Sequence, residues 1–197
     1  NRIAYFEAAM QEEVEAQLAL EHELAQAIAE DQLALHLQSQ VDADNRVVGV
    51  EVLLRWTHPV RGNIPPGRFV PVAEECGLIL QLGDWVLREA CRIQGRLRAA
   101  GLAIPVSVNV SPRQFRQNDF VERTLALIDG QGADTAQLVF EVTEGLLLDK
   151  LDRTVERMQR LTSRGLRFSI DDFGTGYSSL AYLRRLPLHE LKIDRSF

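Results

Sequence analysis

Residues 169–180 read SIDDFGTGYSSL, and this stretch decides how the whole chain is interpreted. Apolar and polar residues alternate from 166 to 171, which predicts a half-buried strand. The strand ends at the adjacent carboxylates of Asp171 and Asp172, which repel each other unless a cation lies between them. A glycine-containing loop follows, and a serine is predicted to begin the next helix, at 178–185. Because no Gly-Lys-Ser/Thr follows, the loop is not a Walker phosphate-binding loop.

Length and composition limit the class of protein. A chain of 197 residues suits one large domain or an incomplete larger one. The two cysteines lack disulfide-framework or CxxC spacing, which favours a reducing, cytoplasmic compartment. No apolar run is long enough to span a membrane, so any attachment to the inner membrane is expected through other domains of a parent protein. The net charge of −6 argues against binding to long nucleic acid.

The rest of the chain alternates strands and helices, which is typical of a parallel sheet covered by helices. Residues 1–10 are expected to form no complete element, and the Pro- and Gly-rich residues 58–69 are expected to form a loop. One helix is predicted to start at an Asp84 cap and to stop at Gly101. Strands are predicted at 33–41, 47–56, 104–110, 138–143 and 190–193, and further helices at 11–31, 69–76, 119–128 and 151–163.

Polar side chains recur in the C-terminal halves of the predicted strands, on the side opposite the apolar residues. In a parallel barrel these strand ends meet at one edge, where chemistry gathers. We therefore expect one shared site, formed by Glu51, Asn109, Glu141, Asp171 and Lys192, with Asp172 beside it.

The chemistry of these side chains favours a hard divalent cation. Carboxylate and amide oxygens suit Mg²⁺ or Mn²⁺, whereas zinc sites usually use clustered His or Cys. Lys192 is either a structural ion-pair partner or a group that orients an attacking water. Arg55 offers a planar fork for a phosphate, or a salt bridge at the barrel rim. Four histidines are expected not to be ligands: His22, His36, His58 and His189.

Five segments resemble, in order, the motifs of the EAL family, bacterial enzymes that open the second messenger cyclic di-GMP. They are EVLLRW at 51–56, SVNVSP at 107–112, EVTE at 141–144, the stretch at 169–180, and LKID at 191–194. The resemblance implies an α/β fold, a TIM-like (β/α) barrel with an antiparallel first strand. It also implies that the C-terminal part of the domain, with a further catalytic glutamate, is absent from this chain. Residues 1–13 resemble the tail of a GGDEF module, and residues 14–197 the N-terminal part of an EAL domain.

The resemblance also implies roles for individual residues. The expected reaction is hydrolysis of one phosphodiester bond of cyclic di-GMP to give linear pGpG, in a two-metal site that holds Mg²⁺ or Mn²⁺. The implied metal ligands are Glu51, Asn109, Glu141, Asp171 and Asp172, with Asp171 bridging. The implied catalytic residues are Lys192, which contacts the nucleophilic water, together with Glu51, Asp171 and Asp172. The implied substrate-binding residues are Gln38, Leu53, Arg55 and Asp194.

Regulation is also implied by the resemblance. Glu144 matches a glutamate that anchors the loop after the strand at 166–171. That loop couples dimer contacts to metal occupancy, and its implied residues are Phe173, Gly174, Thr175, Gly176, Tyr177 and Ser178. The expected partners are cyclic di-GMP, a second copy of the chain, and an upstream GGDEF or sensor module.

Two alternatives remain open at this point. One is an EAL domain that binds cyclic di-GMP without cleaving it, and the other is an unrelated βα-barrel enzyme that uses a divalent metal.

Overall fold

The computed structural model describes residues 2–30, 32–147, 151–174 and 183–194, with backbone alone for 2–9 and 147. The chain forms two compact units. The first unit comprises the residues up to Ala34 together with Leu54–Leu82, and the second comprises Leu35–Leu53 together with the residues from Gly83 onward. The helix predicted at 178–185 falls mostly outside the described residues.

The first unit is built around the N-terminal helix α1, Arg2–Ala29, which packs against α2, Pro66–Cys76. Its core contains fully buried Trp56 and Phe69, whose rings meet edge to face at 5.4 Å. The prediction of no complete element at 1–10 is wrong, because α1 already begins at Arg2. The three alanines in this stretch are strong helix formers and extend the helix toward the N-terminus.

The loop predicted at 58–69 is also interrupted by regular structure. A short strand, β3, Gly62–Ile64, pairs antiparallel with the end of β2, Val47–His58. The turn between them is stabilised by His58 Nδ1, which accepts hydrogen bonds from the backbone N–H groups of Val60 and Arg61. Gly62 has a φ of 68°, a conformation that glycine adopts without steric cost. A turn held by hydrogen bonds to a side chain, here His58, is hard to predict from composition, which explains why β3 was not predicted.

The second unit contains most of the sheet, in which the strand order is β1-β2-β4-β5-β6-β7. A tight turn joins β1, Leu33–Val41, to β2, and Asp42 Oδ1 accepts hydrogen bonds from two backbone N–H groups in that turn. Such a short connection makes the two strands an antiparallel hairpin. From β2 onward the neighbours are parallel. The remaining strands are β4 Val106–Asn109, β5 Leu138–Thr143, β6 Arg167–Phe173 and β7 Glu190–Ile193.

Helices alternate with these parallel strands. Helix α3, Ile79–Ala99, begins before Asp84, so the prediction that Asp84 caps it is wrong. The leucine-rich segment before Asp84 continues the helical pattern, and the Asp84 carboxylate instead accepts a hydrogen bond from Arg123 Nε at 2.8 Å. Two short helices directly follow strands and were not predicted. In the described part of the chain, the α-helices with stated bounds after α3 are α4 Pro112–Phe115, α5 Phe120–Gln131, α6 Glu144–Leu147 and α7 Leu151–Thr162.

Both faces of the central strands are buried. On one face, Phe140 and Phe168 pack into an aromatic cluster with rings of α4 and α5. On the other face, Arg167 and Asp171 are only partly buried, as the predicted half-buried strand at 166–171 requires, whereas Ser169 and Glu141 are fully buried. Parallel sheets are covered on both faces, and a small polar residue does not by itself mark a solvent-facing position.

The alternation of parallel strands and helices confirms the predicted TIM-like α/β fold class. In the described part of the chain the sheet is open, with β1 and β7 as its outer strands. Among the described helices, none has both the length and the apolar character needed to cross a membrane.

Candidate functional site

Polar side chains from five strands of the second unit meet on one face of the sheet. Glu51 lies in the middle of β2, and Asn109 is the last residue of β4. The register of the parallel ladder sets Asn109 beside Glu141 of β5 and Thr143 beside Asp171 of β6. Because paired residues of neighbouring parallel strands point to the same side, the alternation predicted from sequence brings these groups together.

Lys192 of β7 is at the centre of this cluster. Its Nζ donates a hydrogen bond to Glu51 Oε2 at 3.0 Å, forms an ion pair with Glu141, and lies 3.9 Å from Asp171 Oδ1. Asn109 Nδ2 donates to the other Glu51 oxygen, Oε1, at 2.9 Å. Three carboxylates, an amide and an ammonium thus form one connected network.

Asp172 is positioned by an irregularity in β6. The pairing of β6 with β7 shifts register between Ile170 and Phe173, which is the signature of a β-bulge. Asp172 lies inside this bulge with a φ of 51°, a left-handed conformation that is uncommon for residues other than glycine. Such a bulge redirects a side chain at the end of a strand. The charges of Asp171, Asp194, Lys192 and Glu51 all act on the Asp172 carboxylate, which therefore lies near the same cluster.

Burial and charge shift the pKa values of the central groups. Burial raises the pKa of Glu141 to about 7, although the Lys192 ammonium acts in the opposite direction. Burial lowers the pKa of Lys192, but the carboxylates of Glu141 and Glu51 outweigh burial and raise that pKa above its ordinary value. Partial burial, together with the charges of Asp171 and Asp194, raises the pKa of Asp172. Lys192 therefore stays positively charged, whereas Glu141 holds a proton with unusual strength for a carboxyl group.

The residues fit a divalent cation, but they are not arranged around an open site. Across the described residues, no three His, Cys, Asp or Glu side chains form a group that could hold a metal ion as placed. The carboxylate oxygens converge on the Lys192 ammonium instead, so this position already accepts a positive charge. Within the described part of the chain, Glu141 Oε2 is buried without a hydrogen-bond partner and is available as a ligand. An all-oxygen donor set suits Mg²⁺ or Mn²⁺. To bind such an ion, the carboxylates must break some of their ion pairs with Lys192.

The structure places the other predicted site residues on β1, on β2 and directly after β7. Asp194 donates its backbone N–H to Phe173 O at 3.3 Å, next to the bulge. Leu53 follows Glu51 on the same face of β2 and is half-buried, whereas Gln38 is exposed on β1. Arg55 belongs to the first unit, and its Nη1 donates to Leu54 O at 2.9 Å. Substrate contacts by these residues stay predictions.

The residues predicted to couple the loop to the metal site are only partly described. Glu144 is buried at the start of α6, directly after β5, and its anchoring role stays a prediction. Phe173 ends β6, and Gly174 follows with a φ of 103°. The remaining predicted loop residues, Thr175, Gly176, Tyr177 and Ser178, lie outside the described residues.

Two serines on the site's face of the sheet were not predicted as functional. Ser107 pairs with Glu51, and Ser169 pairs with Glu141, in the register of the parallel ladder. Both serines are buried. The strand alternation already placed them on the polar face, so their position was the available signal.

Comparison with known proteins assigns the family. The sequence profile of the EAL domain matches residues 21–197. The chain belongs to the EAL domain family. The EAL domain described here is 45% identical over 200 residues to the bifunctional diguanylate cyclase/cyclic di-GMP phosphodiesterase MucR of Pseudomonas aeruginosa, with 100% of this chain and 29% of MucR covered.

Two further similarities support this assignment. The cyclic di-GMP phosphodiesterase NbdA of Pseudomonas aeruginosa is 46% identical over 183 residues, which cover 92% of this chain and 23% of NbdA. A solved structure described as the PaMucR phosphodiesterase in complex with c-di-GMP is 45% identical, with a TM-score of 0.85. That match covers 90% of this chain and 73% of the other chain. The EAL domain chain thus spans less than a third of either curated relative.

Proposed function

We propose that this EAL domain is the phosphodiesterase domain of a bacterial signalling protein that hydrolyses cyclic di-GMP to linear pGpG. The observation that carries this proposal is the network of Glu51, Asn109, Glu141 and Asp171 around Lys192. These side chains come from separate strands, the three carboxylates converge on Lys192, and Asn109 joins them through its hydrogen bond to Glu51. Relatives at 45–46% identity carry the name of this activity.

The cofactor in this proposal is a pair of divalent cations, Mg²⁺ or Mn²⁺. The ligands would be Glu51, Asn109, Glu141, Asp171 and Asp172. When bound, such ions supply Lewis-acid stabilisation of the phosphoryl group and lower the pKa of a bound water. The protein contributes a fixed donor set, because all five ligands lie within β-strands rather than in loops, with Asp172 in the bulge of β6.

Lys192 has two tasks in this proposal. Its ammonium neutralises the carboxylates of Glu51 and Glu141, whose mutual repulsion would otherwise oppose folding. Its raised pKa keeps the ammonium charged at neutral pH, so that it can donate a hydrogen bond to the attacking water and orient it. A residue that holds the water in place contributes to the rate by fixing the geometry of attack.

The remaining parts of the proposal concern the substrate and the assembly. Gln38, Leu53, Arg55 and Asp194 bind the substrate in this proposal, and the planar guanidinium of Arg55 is suited to a phosphate. Glu144 anchors the loop that follows β6. The protein acts as a homodimer in the cytoplasm, with a GGDEF or sensor module upstream.

One observation favours a second candidate, a cyclic di-GMP receptor that does not cleave its ligand. The Lys192 ammonium lies among the carboxylates, and the described residues contain no open metal-binding group. If these ion pairs persist when the nucleotide binds, the protein would bind cyclic di-GMP without hydrolysing it.

The deciding experiment incubates the full-length protein with cyclic di-GMP and either Mg²⁺ or Mn²⁺, followed by chromatographic separation of the nucleotides. Formation of pGpG that stops when EDTA is added supports the phosphodiesterase. Tight nucleotide binding without turnover in either metal supports the receptor. Absence of both binding and turnover contradicts both candidates.

A further inference from the structure

Ser169 is adjacent to Glu141 in the interior of the sheet. The two residues are paired positions of β6 and β5, and neighbouring strands lie about 4.8 Å apart. Ser169 also lies two residues before Asp171 on the same face of β6. The Ser169 side chain therefore lies between two predicted metal ligands, beside Glu141 on the neighbouring strand and beside Asp171 along its own strand.

Both members of this pair are buried polar groups with unused hydrogen-bonding capacity. Ser169 is 0% exposed and Glu141 is 1% exposed. Counting only partners within the described residues, Ser169 Oγ has no hydrogen bond, and Glu141 Oε2 has none either. The other Glu141 oxygen is in contact with the Lys192 ammonium. A hydroxyl donor and a carboxylate acceptor that are both buried, unsatisfied and adjacent are complementary to each other.

We propose that Ser169 is a positioning residue for the metal site. Its hydroxyl donates a hydrogen bond to the Glu141 carboxylate, through one buried water or after rotation of the serine side chain, and fixes the orientation in which that carboxylate faces the cation. This inference rests on the proposed function, because it assigns Glu141 as a metal ligand. Ligating carboxylates are commonly held by such outer hydrogen bonds.

Packing alone does not account for a serine at this position. Phe168 and Ile170 on the opposite face supply the apolar contacts of β6. Serine is not among the β-branched and aromatic residues that strands favour, and alanine would fill nearly the same space without burying a hydroxyl.

Ser107 provides a matched comparison within the same sheet. It is 1% exposed, and its hydroxyl is also without a partner in the described part of the chain. Its neighbour Glu51, however, already has a hydrogen bond at each oxygen, from Asn109 and from Lys192. A hydroxyl beside Glu51 is therefore not needed to orient that carboxylate.

The test compares Mn²⁺ binding by the full-length protein and its variants, measured from the electron paramagnetic resonance signal of free Mn²⁺. We expect Ser169→Ala to raise the dissociation constant for Mn²⁺ about tenfold. Ser107→Ala should leave it within about twofold, and Ser169→Thr, which retains the hydroxyl, should restore most of the affinity. The Mn²⁺ concentration for half-maximal hydrolysis should rise in parallel for Ser169→Ala, with a smaller change in kcat. Circular dichroism and the melting temperature in EDTA confirm that each variant is folded.

The outcomes separate this inference from the proposed function. If wild type binds Mn²⁺ and hydrolyses cyclic di-GMP but Ser169→Ala binds Mn²⁺ unchanged, the positioning role is wrong and the function stands. Equal losses in Ser169→Ala and Ser107→Ala would also overturn the specific role of Ser169. If wild type binds no Mn²⁺, both the inference and the metal-dependent function are wrong.

Discussion

Glu141 should make the metal-free protein less stable as the pH rises. Its pKa is raised by burial from the ordinary 4.5 to about 7. Between these two values the folded state keeps the Glu141 proton while the unfolded state loses it. The contribution to stability is therefore fully present below pH 4.5 and is lost as the pH rises through about 7. Glu141→Gln removes this titration and leaves a neutral side chain of similar shape.

The size of the effect follows from the shift in pKa. One pKa unit corresponds to about 1.4 kcal/mol, so the rise to about 7 corresponds to at most about 3 kcal/mol of unfolding free energy. Relative to wild type, Glu141→Gln should thus gain up to about 3 kcal/mol of stability between pH 4.5 and pH 7.5. The neighbouring Lys192 does not contribute in this range, because its raised pKa lies at higher pH.

The assay is urea denaturation in EDTA, followed by circular dichroism at several pH values from 4.5 to 7.5. Glu122→Gln is a control, because the hydrogen bond from Arg160 lowers the pKa of Glu122 instead of raising it. The stability from that pair is lost only as the pH falls below the unfolded pKa of about 4.5, so the stability difference between this variant and wild type should stay nearly constant from pH 4.5 to 7.5. Identical pH profiles for wild type and Glu141→Gln would refute the account of Glu141 as a buried carboxyl with a raised pKa.

Two further predictions concern backbone conformation. A Cβ at Gly83 would lie 1.5 Å from Gln114 Nε2, whose side chain completes the capping box of α4. We expect Gly83→Ala to destabilise the protein by about 1 kcal/mol or more, whereas Gly95→Ala in the same helix, which meets nothing within 4 Å, should stabilise it by up to about 1 kcal/mol. Equal melting temperatures for the two variants would contradict this. The left-handed φ of Asp172 predicts that Asp172→Ala is about 1 kcal/mol less stable than Asp172→Asn, since Asn tolerates that conformation better. If chemical denaturation showed Asp172→Ala to be the more stable variant, the result would argue against the bulge.

The strands were predictable wherever alternation and turn chemistry agreed. The bounds of β1, β5 and β7 match the predicted ranges 33–41, 138–143 and 190–193. Each of these strands has side chains that alternate, with a clear boundary at one or both ends. The convergence of Glu51, Asn109, Glu141, Asp171 and Lys192 followed from the same alternation, because parallel strands fix which side chains share a face.

Other features depend on information that local sequence does not carry. Asp84 resembles a helix cap, but the apolar residues before it extend α3, and its carboxylate pairs with Arg123 instead. Ser169 resembles a solvent-facing residue until both faces of the sheet are known to be covered. The left-handed backbone of Asp172 arises from tertiary contacts, so no short-range pattern predicts it. The ion pairs of Lys192 with Glu51 and Glu141, by contrast, match the structural role that strand alternation offered as one of two alternatives.

The most direct test of the central claim is the rate of pGpG formation by the full-length protein when one carboxylate of the network is neutralised. Glu51 accepts hydrogen bonds from both Asn109 and Lys192. Glu51→Gln keeps the shape of the side chain but removes its negative charge and replaces one oxygen with an amide nitrogen. The account predicts that Glu51→Gln lowers the rate by about a hundredfold or more, while Glu122→Gln, on the surface of α5, leaves it unchanged. Equal rates for wild type and Glu51→Gln would show that the network on β2, β4, β5, β6 and β7 is not the hydrolytic centre.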